Sequence, residues 1–220
     1  MLDFQTALDP LQKTITDVLV EQLRGEIIRG VYSPGTRLPL RDLADRFRLS
    51  TMPIREALQL LEAEGLVTGE ARKGFRVTEL SPAELDDIYT MRATLEAMAT
   101  RVAVPRISDE TIATLRKIVA EIDTFQNDAY RVFEANTNFH SLIYTASGRG
   151  HLCSIISMLR NRAAHYFHNY MLELETHAQT DHLAIIEACQ DRDADRAADI
   201  MYGHIARAGL AVVEYCKRTA

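Results

Sequence analysis

Apolar residues recur at helical spacing along most of the chain. Ile15, Val18, Leu19, Leu23 and Ile27 predict an amphipathic helix over 11–29. Leu40, Leu43, Ala44 and Phe47 predict a short helix over 40–47. Ile54, Ala57, Leu58 and Leu61 predict a third over 51–64, with Ser50 as its N-cap. Arg48-Leu49-Ser50 leaves room only for a tight turn between the second and third. Leu66-Val67-Thr68 and Phe75-Arg76-Val77 read as two short strands.

After Glu79 the punctuation changes. Six of the ten glycines and four of the six prolines fall in the first 80 residues. Ser81-Pro82-Ala83-Glu84 then has the pattern of a capping box with proline in the first turn. Six helices follow, near 82–103, 108–127, 129–147, 149–175, 177–190 and 193–217. The pattern predicts a mainly α chain in two domains. Residues 1–80 hold short helices and a small hairpin; residues 81–220 form an all-helical bundle.

Charge adds a second division along the same seam. The 220 residues carry 25 Lys+Arg and 31 Asp+Glu, a formal net charge of −6. Taken whole, that balance argues against nucleic acid as a partner. Residues 81–220 hold −5 of it, however, and the window 37–76 is +2, with eight basic and six acidic groups. The three cysteines, Cys153, Cys189 and Cys216, form no CxxC pair, which excludes a cysteine zinc site or a disulfide framework. No apolar run approaches the roughly 18 residues of a membrane span. A cytoplasmic protein without a membrane partner is expected.

The basic-leaning window has a recognisable layout. On the third predicted helix Met52, Arg55 and Gln59 share a face away from the apolar stripe. Two helices joined by a three-residue turn, the second presenting Arg and Gln outward, make a helix-turn-helix. Such a helix fits the major groove, where Arg pairs with guanine and Gln with adenine. The loop between the two strands carries Arg72, Lys73 and Gly74 at its tip, as a DNA-contacting wing would.

From Leu23 to Val77 the chain resembles the winged-helix domain of the GntR family of bacterial transcription factors. The match runs through Tyr32-Ser33-Pro34-Gly35-Thr36-Arg37-Leu38 and Ser50-Thr51-Met52-Pro53-Ile54-Arg55-Glu56-Ala57-Leu58. It continues in Glu64-Gly65-Leu66-Val67 and Gly74-Phe75-Arg76-Val77. The resemblance implies that Arg41 and Arg55 contact DNA, with Ser50 near phosphate and the Lys73-Gly74 tip in the minor groove. Many members have Arg where this chain has Thr51, so Thr51 and Met52 are expected to meet a thymine methyl instead.

Three of the seven histidines sit on apolar helix stripes: His140 after Phe133 and Asn136, His182 with Ile185 and Cys189, and His204 with Ile200 and Met201. Each alone reads as a hydrogen-bonded core histidine. Burying three together is costly unless something satisfies them, and a divalent metal does so. Asn136, one turn before His140, is positioned to add an oxygen.

The same residues resemble FCD, the ligand-sensing domain of the FadR subfamily. They are Arg92-x-x-Leu95-Glu96, Asn136-x-x-Phe139-His140, His182-x-x-Ile185 and the stretch Asp191 to His204. Six helices rather than seven place it nearer the VanR-like branch. The resemblance implies a metal site at Asn136, His140, His182 and His204, although metal-binding members usually have Asp at the first position. Nitrogen-rich ligation favours Zn or Ni. It further implies a homodimer, a palindromic operator, and a small organic acid whose carboxylate meets the metal. Arg92 reads either as a second anchor for that carboxylate or as half of a structural ion pair. Tyr144, Arg162 and Tyr166 are further pocket candidates. The resulting expectation is a ligand-responsive transcriptional regulator, commonly a repressor. The competing reading is a metal-dependent hydrolase using the three histidines, against which no HExxH stands in the chain.

Overall fold

The computed structural model describes residues 14–70, 73–125, 128–172 and 179–219. It divides into two compact units, Met1–Glu79 and Leu80–Ala220.

In the first unit α1 spans Ile15–Ile28, and Thr14 and Asp17 cap each other reciprocally at its start. A two-residue strand β1 (Arg37–Leu38) precedes α2 (Leu40–Phe47) and α3 (Thr51–Ala63). Strands β2 (Val67–Glu70) and β3 (Gly74–Val77) form the hairpin, and β3 lies between β1 and β2 in one antiparallel sheet. Leu19, Leu23, Ile27, Ile54, Leu58 and Leu61 are fully buried and lock α1 onto α3. Each contributes about 1.5–3 kcal/mol of burial.

Two details of the turn region depart from the sequence reading. Strand β1 was not predicted; it pairs Arg37 with Arg76 and Leu38 with Phe75. A two-residue strand has no periodicity of its own, and only the partner strand defines it. Ser50 does occupy the N-cap position of α3, but its side chain makes no capping hydrogen bond. The turn before it is closed from the other side. Arg48 adopts a left-handed φ of 56°, and Leu49 N–H donates to the Ala44 carbonyl at 3.0 Å.

The second unit holds six helices among its described residues: α4 (Pro82–Ala103), α5 (Asp109–Thr124), α6 (Ala129–Ala146), α7 (Gly150–Leu172), α8 (Thr180–Gln190) and α9 (Ala194–Thr219). The capping box at Ser81 and Glu84 forms with both of its hydrogen bonds. Tyr166 ties down the start of this unit, its hydroxyl 2.8 Å from Leu80 N and 3.2 Å from Leu80 O. No helix is long and apolar enough to cross a membrane among the described residues.

Helices α4 and α9 pack closely because of Gly209. A Cβ placed there would lie 2.5 Å from the Tyr89 Cβ and 2.7 Å from its ring. Gly209→Ala is therefore expected to destabilise the protein by about 1–3 kcal/mol through overpacking. Urea denaturation of the variant checks this, and a gain in stability would contradict the packing described.

Candidate metal centre and nucleic-acid interface

Helix α3 separates two faces cleanly. Ile54, Ala57, Leu58 and Leu61 are buried, whereas Ser50, Thr51, Met52, Arg55 and Gln59 are exposed. Met52 is 70% exposed. Arg41 is exposed on α2. At the wing, Lys73 and Gly74 are exposed, and Gly74 has φ +88°, which side-chain-bearing residues rarely adopt. Lys73 lies 3.9 Å from Glu70, an exposed pairing of little worth. Arg72 lies outside the described residues. Other arginines of this unit serve the fold: Arg46 pairs with buried Glu26, and Arg24 with Glu64 at 2.6 Å.

In the second unit α6, α8 and α9 bring His140, His182 and His204 together. Their ring centroids lie 4.9–5.2 Å apart. One nitrogen from each falls within 4.8 Å of the other two. What decides the chemistry is the other nitrogen of each ring. His204 Nδ1 donates to Asp181 Oδ2 at 3.1 Å. His182 Nδ1 bonds the Gln179 amide oxygen, which only accepts. His140 Nδ1 lies 3.2 Å from the Tyr144 hydroxyl. That hydroxyl gives its own proton to the Glu96 carboxylate, so it accepts from His140.

All three Nδ1 atoms thus carry the proton, and all three Nε2 atoms present lone pairs to one another. His140 Nε2 and His182 Nε2 are 3.4 Å apart. Two ligands about 2.1 Å from a tetrahedral zinc would stand at about that separation. Converging lone pairs repel unless a cation lies between them, so the donor set fits a divalent metal. The outer partners Tyr144, Gln179 and Asp181 fix the ring tautomers as second contacts of a metal site do.

Burial pushes all three histidines toward the neutral form that ligation requires. His182 is lowered to about 3, first by burial and then by His204. His140 is held well below its ordinary value by burial, with His204 and His182 adding to it. His204 is lowered by burial, against the pull of Asp181. In the unfolded chain each titrates near 6.5. Below that pH the unfolded state binds more protons, so stability is full above about 6.5 and falls as the pH drops toward the folded values. Metal-free protein is expected to lose up to about 1.4 kcal/mol per pH unit for each histidine. Denaturant titrations between pH 7 and pH 4 check this, and the slope flattens in His182→Ala.

A narrow cavity of about 20 Å3, room for roughly one water, adjoins the histidines. Tyr89, Arg92, Phe133, Asn136, Thr137, His140, Arg160, Phe167 and His204 line it, with Ile205 and Ala208. Asn136 therefore faces the same space as two of the three histidines. Arg92 is held in an ion pair and also lines the cavity. Its Nε pairs with Glu96 Oε1 at 2.7 Å. Burial works against the Arg92 charge, but Glu96 outweighs it and Arg92 stays a cation.

Of the other pocket candidates, Tyr144 stands behind His140, bonded to it and to Glu96. Arg162 and Tyr166 do not line the cavity. Arg160, two residues before Arg162 on α7, lines it; two residues along a helix rotate a side chain by about 200°. Tyr166 is engaged with the Leu80 backbone. Sequence reasoning did not assign roles to Glu96, Arg160, Gln179 and Asp181. The spacings Arg92-x-x-x-Glu96 and Gln179-x-x-His182 carry a weak helical signal for two of them. The Asp181–His204 contact joins different helices and leaves no local trace.

Tyr144→Phe removes the acceptor for His140 Nδ1 while preserving the ring. Metal affinity is expected to fall roughly 10–100-fold. Competition with a chromophoric chelator checks this, and unchanged affinity would refute the outer-contact role.

A winged helix-turn-helix followed by an all-helical unit is the layout of a DNA-binding transcription regulator. Residues 15–77 match the bacterial regulatory proteins of the gntR family, and residues 87–207 match the FCD domain. The chain is 30% identical over 195 residues to the HTH-type transcriptional repressor GlaR of Escherichia coli (strain K12), covering 83% of this chain and 89% of GlaR. It is 32% identical over 177 residues to the Nta operon transcriptional regulator of Aminobacter aminovorans, covering 79% and 83%. The solved structure of E. coli McbR/YncC shares the fold, with a TM-score of 0.79 at 23% identity over 93% of this chain and 99% of that one. The chain belongs to the GntR family and carries an FCD domain. It is a DNA-binding transcriptional regulator and not an enzyme, which sets the hydrolase reading aside.

Proposed function

We propose that the chain is a dimeric repressor of the FadR subfamily, VanR-like branch, released from a palindromic operator by a small organic acid. The observation that carries this reading is the cluster of His140, His182 and His204, two of which line a cavity shared with Arg92 and Arg160. His140, His182 and His204 hold a Zn or Ni ion, with Asn136 as a fourth, neutral ligand. Such a metal would attract a carboxylate, which would displace the neutral Asn136 amide or add to the ligand set, and Arg92 and Arg160 supply the fork geometry that binds carboxylates well. The cavity admits such a guest only if its walls move, and that movement is the means of signalling. Arg55, Gln59, Thr51 and Met52 read the major groove. Arg41 and Ser50 meet phosphate, and Arg72, Lys73 and Gly74 reach the minor groove. Repression fits the relative GlaR, itself a repressor. Two-fold symmetry of the dimer matches two half-sites.

Fluorescence anisotropy with the promoter of its own gene tests the reading. Binding is expected to weaken steeply with salt. An organic acid found by thermal-shift screening is expected to release the DNA from metal-loaded protein and not from chelator-treated protein. Release that persists after chelation would remove the metal from the mechanism.

A further inference from the structure

A second cleft, of about 290 Å3, is lined by residues of α6 and α7 and shares with the metal site and its cavity only Arg160 and Tyr144. Its walls include Ser141, Tyr144, Thr145, Cys153, Ser157 and Arg160, and no carboxylate is among them. Several of these groups are already occupied. Ser141 Oγ donates to the Thr137 carbonyl and accepts from Arg160 Nη1 at 2.9 Å. Cys153 Sγ donates to the Tyr144 carbonyl at 3.2 Å.

Two hydroxyls and the Arg160 guanidinium remain. Arg160 Nε is buried without a hydrogen-bond partner. Among the described residues Arg160 takes part in no ion pair, and the Thr145 and Ser157 hydroxyls bond to nothing in the protein. That Nε is too enclosed for a ligand to touch, so Arg160 offers the cleft its charge, which Glu96, already paired with Arg92, does not neutralise by contact. The hydroxyls beside it supply further donors in a cleft large enough for a small ion and its water.

We infer that this cleft binds a small oxyanion, of phosphate or carboxylate type, on Arg160 with Ser157 and Thr145 donating to it. The site is separate from the metal centre and does not depend on it. Arg160 lines both spaces, so occupancy of the cleft and use of Arg160 by the inner cavity draw on one guanidinium.

Isothermal titration of chelator-treated full-length protein with inorganic phosphate, and separately with acetate, tests the inference. At least one is expected to bind saturably, one per chain, and which one does identifies the source of the oxyanion. Ser157→Leu, which fills the cleft, and Arg160→Met are each expected to weaken that binding at least tenfold, while His182→Ala leaves it within twofold. Thr145→Val alters an exposed position and serves if Ser157→Leu fails to fold by circular dichroism; it is expected to weaken binding at least threefold. Absence of saturable binding by both anions overturns the inference. So does binding that is lost in His182→Ala, or retained in folded Arg160→Met and Thr145→Val.

Discussion

Chelator-stripped protein is expected to take up one Zn2+ or Ni2+ per chain, and His182→Ala none. The expectation follows from the way the three rings are held. Each Nδ1 is tied to an outer acceptor, Tyr144, Gln179 or Asp181. Each Nε2 is left as a lone pair, and that of His140 stands 3.4 Å from that of His182. Removing the His182 ring leaves two nitrogens and a neutral amide, too few donors for a tetrahedral centre. Metal at a hundredfold excess over its dissociation constant stabilises the folded state by about 2.7 kcal/mol. The melting temperature of wild-type protein is therefore expected to rise by several degrees on loading, and that of the variant to stay put. Titration calorimetry with both metals checks stoichiometry, and uptake by His182→Ala equal to wild type would sink the assignment. Asn136 contributes no charge, so Asn136→Asp is expected to tighten the site.

Arg55→Ala is expected to weaken binding to the operator roughly fivefold to hundredfold, the cost of about 1–3 kcal/mol for losing a bidentate guanine contact. Arg55 is exposed one turn into α3, on the face opposite Ile54, Ala57 and Leu58. Its loss leaves the core intact, so the melting temperature should not move. The discrimination between operator and unrelated DNA should shrink with it. Arg41→Ala should behave differently. A phosphate contact weakens all sequences alike and lowers the salt slope by about one unit. Anisotropy titrations at several salt concentrations separate the two. An Arg55→Ala protein that binds its operator as tightly as wild type would remove α3 from the major groove.

Much of this was legible in the sequence because it rests on local rules. The capping box at Ser81, the apolar stripe of α3 and the breaker-poor run of the second unit each state their meaning within a few residues. The three histidines were found for the same reason: each lies on an apolar stripe. What sequence could not give was phase and partnership. Arg160 and Arg162 sit two positions apart on a 23-residue helix that packs against α4, α6 and α9. Only packing decides which one faces inward. Asp181 beside His204, and Glu96 beneath Tyr144, are contacts between distant parts of the chain. Strand β1 exists only because β3 passes alongside it.

The missing cap on α3 carries a consequence for how the protein recognises DNA. Ser50 stands where a hydroxyl would ordinarily accept from the first turn, yet it leaves those amides alone. Pro53 has no amide to offer, so the N–H groups of Thr51 and Met52 form a small positive mouth at the helix tip. A backbone phosphate seated there completes the helix end as a capping side chain would. With α3 in the groove as proposed, its first turn should resist hydrogen exchange on the operator more than it does alone.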